Sequence, residues 1–316
     1  MNDSLVASAD SNSGSDGQER PSVAVSYEFT SGLPALLERL ELSVLLSTYQ
    51  AGRVVSVGSH QQQLRIGFSH FDQAMGLCRT PTGIAVGTRD AIWTLPANRE
   101  IASRIKPEGE HDIAFLARSC HHSGPLMGHD LAWGSDRLWL VNTLFNGLVT
   151  IKGDWSFVPQ WQPPFIDGWA ACDRCHLNGL ALAEDGSAPA YVTALGETDI
   201  ENGWREQKAT GGCLIHVLSG EVVLRGLSMP HSPRLYQGQL YLLDSGRGAL
   251  VRWIRSPVSR APSRCYRALR AAWIVSPVMP LWGCHRLGSR RCSAACRFRK
   301  TSWTGAAVWR SWIWRH

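Results

Sequence analysis

Three histidines, His129, His176 and His231, recur about 50 residues apart, each at or just before the start of an apolar, β-prone run. In a fold of radially arranged sheets, such positions converge on one axis although the chain separates them widely. Three imidazoles meeting there suit a divalent first-row metal with an open coordination position for water. Asp130, Asn178 and Ser232 are then the groups expected to fix the ring tautomers. The chemistry implied is that of a metal-dependent hydrolase or lyase. A plainer reading gives each imidazole a strand end to cap, or a ligand to touch without a metal. His176 breaks the pattern: if Asn178 aligns with His129, His176 stands two positions early.

Cations flank these positions. Arg174 lies two residues before His176, and its guanidinium fork suits a carboxylate or phosphate. Arg234 stands in a similar place in a later unit, and Asn178 supplies a neutral donor and acceptor. Arg53, in the tight turn Tyr49-Gln-Ala-Gly-Arg53, is a further candidate contact, although a hairpin turn explains it equally simply. Together these residues predict a small polar or anionic ligand at a central channel face. Cys172-x-x-Cys175 has redox or zinc spacing, but no second pair stands elsewhere, which favours a structural role. His111-Asp112, Arg118 and His121-His122 fall in a loop of the kind that carries function. Trp155, Trp161 and Trp169 with Pro163 and Pro164 form an aromatic stretch, suited to packing or to covering a channel mouth. Phosphate-binding loops, dinucleotide fingerprints, HExxH and the nucleophile elbow are all missing from residues 1–253.

The elements that position these residues repeat. An apolar run, a short turn and a second run bearing Trp or Tyr and ending in Thr, Asn or Asp occur four times. The copies span 82–95, 128–143, 172–195 and 230–245. A period of about 40–50 residues with four short strands is the mark of a propeller blade. The expectation is an all-β, β-propeller-like domain over 27–253. Six blades are expected in intact relatives, with a truncated set and an unpaired edge here. Upstream, 33–46 has helical spacing with Pro34 in the first turn, and 47–58 and 63–66 read as strands.

Composition divides the chain in two. From 254 to 316 there are 12 Arg and one Lys, with no Asp, Glu, Asn or Gln. Residues 1–253 therefore carry 32 − 13 = 19 basic and 26 acidic side chains, a net charge of −7. The overall +6 belongs to the tail and does not mark the domain as a nucleic-acid binder. Six Trp and four of the nine Cys also lie in this tail. Arg, Trp, Cys, Ser and Ala without acids or amides is what a GC-rich frame yields out of register, so a frameshifted tail is expected. The alternative is a basic tail that binds nucleic acid or anionic lipid. Residues 1–26 are too polar to bury a core and read as disordered. They also lack the pattern of a signal peptide. No apolar run approaches a membrane span, and unpaired cysteines favour a reduced, cytoplasmic setting.

Five stretches resemble a bacterial conserved hypothetical family, a domain of unknown function. They are Tyr49-Gln-Ala-Gly-Arg53, Leu138-Trp-Leu-Val-Asn-Thr-Leu-Phe145, Asp173-Arg-Cys-His-Leu-Asn-Gly179, Tyr191-Val-Thr-Ala-Leu-Gly196 and Gly226-Leu-Ser-Met-Pro-His-Ser-Pro-Arg234. The resemblance covers about 27–253. It implies a six-bladed propeller outline and a role for His176, Asn178, His231 and Arg234, without naming a substrate. It also implies a continuation past the Asp-Ser-Gly of the fourth unit from which this chain departs.

Overall fold

A computed structural model describes the backbone of residues 2–8, 24–253, 264–267, 296–299 and 309–315, and the side chains of 27–253. Five antiparallel sheets follow one another around the molecule, so the protein is an all-β propeller of five blades among the described residues. Blade 1 contains Leu42–Thr48, Arg53–His60 and Gln63–His70. Blade 2 runs from Leu77–Thr80 through Gly83–Gly87 and Ala91–Asn98 to Ser119–His122, with Ala114–Phe115 also pairing Ala91–Asn98. Blade 3 is Gly128–Gly134, Arg137–Asn142, Gly147–Lys152 and Trp155–Trp161. Blade 4 is Leu177–Leu182, Pro189–Ala194, Gly212–His216 and Val222–Leu227. Blade 5 is Pro230–Tyr236, Gln239–Asp244, Ala249–Trp253 and Arg264–Arg267.

Local sequence explains the hairpins. The first turns of blades 3 and 5, Ser135-Asp136 and Gln237-Gly238, place both central residues at positive φ. That is the twist a two-residue hairpin needs. Alternating apolar residues then fill the space between neighbouring sheets. Val141 and Leu148 of blade 3 pack with Leu177, Val192 and Ile215 of blade 4, all of them fully shielded from water. Leu214, Leu240 and Leu242 do the same between blades 4 and 5. Truncating one such leucine to alanine costs about 2–5 kcal/mol. Gly179 shows how closely the inner strands approach, since a Cβ there would meet Pro233 Cδ of blade 5 at 2.6 Å.

The tail alters what the sequence predicts for the edge. The backbone of Trp309–Arg315 pairs antiparallel with Leu42–Thr48 in seven residue pairs. Arg264–Arg267 pairs with Ala249–Trp253. The expected unpaired edge is therefore covered, because an open sheet edge accepts any extended segment that reaches it. The remaining tail, 254–263, 268–295, 300–308 and 316, lies outside the described residues. Helical spacing holds only over Leu33–Arg39; residues from Leu42 onward join blade 1. Of the start read as disordered, Asn2–Ser8 pairs with Ala24–Thr30, while 9–23 lie outside the described residues. No described helix is long and apolar enough to cross a membrane.

Candidate functional site

The inner strands of blades 3, 4 and 5 enter the fold by the same device. Each begins with a residue in the left-handed region: Met127 (φ 52°), His176 (φ 53°) and Met229 (φ 48°). Each then shows a register irregularity within the next five residues, between Gly128 and Leu131, Leu177 and Gly179, and His231 and Arg234. The structural equivalents of His129 and His231 are thus Asn178, not His176. The imidazole of blade 4 occupies the entry slot that the other two blades give to methionine.

The two in-register rings are tied to the backbone. His129 Nδ1 lies 2.7 Å from the Met127 carbonyl and 2.8 Å from Thr143 Oγ1. His231 Nδ1 lies 2.8 Å from the Met229 carbonyl. A carbonyl can only accept, so in both rings Nδ1 carries the hydrogen. These carbonyls fix the tautomers, in place of Asp130 and Ser232. Asn178, completely buried, donates to the Pro230 carbonyl of blade 5 at 3.0 Å and accepts from Thr193 Oγ1 at 2.7 Å. Thr143 makes the corresponding latch from blade 3 to the Leu177 carbonyl of blade 4.

His176 is held by side chains. Its Nδ1 donates to Asp173 Oδ2 at 2.6 Å, and the Trp204 indole N–H donates to the same oxygen at 3.0 Å. The Trp204 ring lies 4.3 Å from the His176 ring at 37°, and the His129 ring meets it edge-on at 4.7 Å and 80°. Asp173 Oδ1 is buried without a hydrogen-bond partner, as is Asn142 Nδ2. His176 Nε2 makes no hydrogen bond among the described residues. About a tenth of that side chain is exposed (11%).

Asn146 positions this cluster. Its Oδ1 accepts the backbone N–H groups of Arg174 (2.8 Å) and Cys175 (3.1 Å), and its Nδ2 donates to the Cys172 carbonyl at 2.7 Å. Blade 3 thereby clasps the loop that carries Asp173 and His176. On the other side, Asn202 N–H donates to the Asp173 carbonyl at 2.7 Å, which brings Trp204 over the ring. Trp204, Asn146 and Thr143 are absent from the residues expected on sequence grounds. Asn146 is left-handed (φ 57°), and its residue type, which tolerates that conformation, is the local sequence signal available for such a bend.

Several of the remaining candidates have partners within the protein. Arg234 crosses from blade 5 to Asp130 of blade 3, with Nη1 at 3.0 Å and Nη2 at 3.3 Å, and also donates to the Leu180 carbonyl at 2.9 Å. Asp130 in turn accepts the Leu180 N–H at 3.2 Å, so one ion pair joins three blades at the axis. Arg174 reaches Asp199 and the Asp167 carbonyl, both at 2.7 Å, and Cys172 Sγ at 3.0 Å. The Cys172 bond and the Asp199 carboxylate raise the guanidinium pKa above its ordinary value. Arg53 bonds the Gly52 carbonyl within its own turn, at 3.1 Å. Cys172 and Cys175 are both free thiols, and burial pushes the Cys175 pKa well up. His121 and His122 sit on the outer strand of blade 2, and Trp155 and Trp161 on that of blade 3. Among the described residues, no three His, Cys, Asp or Glu side chains group as a metal centre requires. The expected metal set of His129, His176 and His231 is therefore not assembled; the two-position offset of His176 spends its Nδ1 on Asp173 instead.

A family model described as "Domain of unknown function (DUF4915)" matches residues 31–258. The chain belongs to this family. The match ends where the basic tail begins, and no curated protein matches the chain. Solved structures similar to this family member are propeller proteins of low identity. A virginiamycin B lyase from Staphylococcus aureus is 12% identical, with 85% of this chain and 76% of that chain covered and a TM-score of 0.41. A PQQ-bound aldose sugar dehydrogenase from Streptomyces coelicolor is 12% identical, with 86% and 91% covered and a TM-score of 0.45. A 6-phosphogluconolactonase-like protein from Bacteroides uniformis is 14% identical, with 71% and 67% covered and a TM-score of 0.42.

Proposed function

We propose that the protein binds a small polar or anionic ligand at the channel face where blade 3 meets blade 4, with His176 as the principal contact. One observation carries this reading. The fold accepts methionine at the entry slot in blades 3 and 5, yet blade 4 places an imidazole there, pins its Nδ1 with Asp173 and leaves Nε2 without a hydrogen bond among the described residues. In that state Nε2 accepts a hydrogen bond from a ligand hydroxyl, and in the protonated state it donates to an anion. Buried His129 beside it and the unpartnered Asp173 Oδ1 add polar character to the same wall. Arg174 and Arg234 are committed to Asp199 and Asp130, so the recognition expected of them passes to the histidine cluster.

Thermal shift with a fixed set of probes tests this: inorganic phosphate, acetate, gluconate, glucose and glycerol, each at millimolar concentration. A probe present at about 100 times its Kd stabilises the folded state by about 2.7 kcal/mol. The expected result is a rise in Tm with at least one probe in wild type, lost in His176→Ala and kept in Arg53→Ala. No rise with any probe, or an equal rise in His176→Ala, overturns the reading.

The reading places function within 27–253 and treats 254–316 as the product of a shifted frame in a cytoplasmic protein. Tail composition and the end of the family match at residue 258 support the first point, and the five free cysteines among the described residues the second. Resequencing the locus tests the tail: an intact frame with no one-base correction sinks it.

A further inference from the structure

The ligand-binding reading leaves open what His176 does once a ligand is in place. We infer that His176 is a general base that deprotonates a hydroxyl of the bound molecule, with Asp173 and Trp204 as its positioning residues. The geometry has the three parts such a base needs. The proton-accepting atom, Nε2, makes no hydrogen bond among the described residues, and in the neutral ring the hydrogen sits on Nδ1, held by Asp173 at 2.6 Å. The orienting carboxylate is itself fixed, since Oδ2 also accepts the Trp204 indole at 3.0 Å. Rotation of the ring is blocked by Trp204 on one side and His129 on another. A ring meant only to fill the slot needs neither the carboxylate nor a nitrogen left without a hydrogen bond, as Met127 and Met229 show.

The step balances without a co-reactant. The ligand O–H bond breaks, its proton moves to Nε2, and the electron pair stays on the ligand oxygen. Nδ1–H remains on Asp173, whose carboxylate neutralises the imidazolium that forms. The substrate class is a small hydroxylated molecule, or water held beside one.

Acylation by diethyl pyrocarbonate tests the base without knowing the ligand, because the reagent is attacked by a neutral imidazole nitrogen and mass spectrometry assigns the site. The full-length protein is used at one fixed, mildly alkaline pH for wild type and variant alike. His122, whose side chain is 78% exposed, is the internal reference. His176 is expected to react faster than His122 although it is far less exposed. Asp173→Asn should slow His176 about tenfold or more while leaving His122 unchanged. Nitrogen-15 spectra of wild type should show the Nδ1–H tautomer at His176, a readout that stands if the variant does not fold. Reaction of His176 no faster than His122, an unaltered rate in Asp173→Asn, or the Nε2–H tautomer in wild type each overturns the inference. Acylation needs no ligand, so this result and the probe-binding result can fail independently.

Discussion

The entries to blades 4 and 5 are built on one backbone plan and use their histidine in opposite ways. In blade 5, His231 falls on the inner strand, is 2% exposed and bonds the carbonyl of the residue two before it. In blade 4 the histidine has moved to the entry bend, and Asn178 does the inner-strand work by latching onto Pro230. The ring that repeats in register is thus tied to the backbone of its own strand entry, whereas the ring out of register is tied to a carboxylate. The lesson is that internal repetition in a propeller marks architecture, and a departure from the repeat marks the residue that architecture does not need.

The comparison can be broken most severely at the axis. Asp130→Ala strands the Arg234 guanidinium, whose side chain is only 14% exposed, and leaves the Leu180 N–H without its acceptor. A loss of about 3–5 kcal/mol is expected from urea denaturation, because a buried charge without its partner is costly. Replacing both partners with apolar residues, Asp130→Leu with Arg234→Met, should recover most of that loss. A loss below about 1 kcal/mol for Asp130→Ala would show that the pair is not part of the frame.

The next test sets the two histidines against each other. His231→Ala empties a nearly closed site and orphans the Met229 carbonyl, for an expected loss of about 2–3 kcal/mol. His176→Asn should cost less than about 1 kcal/mol, since asparagine tolerates the left-handed bend and the slot accepts different side chains in other blades. Probe binding should respond in the reverse order, lost in His176→Asn and kept in His231→Ala. Equal stability losses would erase the distinction. Asn146→Ala sits between the two, removing three hydrogen bonds from the loop that carries Asp173. About 1.5–3 kcal/mol should be lost in denaturation, together with the fast acylation of His176.

Much of this architecture was legible because blade structure is written in short-range signals. The apolar run of Leu177–Leu182, the Gly186 turn and the Tyr191-bearing second run fix a hairpin whatever surrounds it. His129, His176 and His231 were also recognisable as a set, and the early position of His176 was visible. What the sequence could not convey is which partner each ring meets. The Met127 and Met229 carbonyls bond His129 and His231 only because the entry bend turns them inward, a property of φ rather than of residue type. Trp204 reaches Asp173 across 31 positions of chain, through a loop with no repeat to place it. Arg234 looked like an anion receptor for the same reason. Its carboxylate, Asp130, lies 104 positions away and becomes its neighbour only when blades 3 and 5 close around blade 4. The sequence also made the edge look unpaired, because nothing in the tail's composition announces that 309–315 lies along Leu42–Thr48.

The smallest expected effect sharpens the comparison at the rim of blade 4. Asp199 is held below the ordinary carboxylate value of 3.8, first by the hydrogen bond from Arg174 and, after an opposing effect of desolvation second in size, by the Asp167 N–H and the Arg174 charge. A carboxyl group whose folded value is depressed stabilises the protein fully above its unfolded value and loses that stabilisation as pH falls through the folded one. Asp199→Asn should therefore be less stable than wild type at about pH 6, and the two denaturation midpoints should converge as pH drops below 3.8. Asp199 is 40% exposed, so solvent keeps the difference small and added salt should shrink it further. A gap between wild type and Asp199→Asn that persists unchanged below pH 3.8 would mean that Arg174 grips the loop through the Asp167 carbonyl and Cys172 alone.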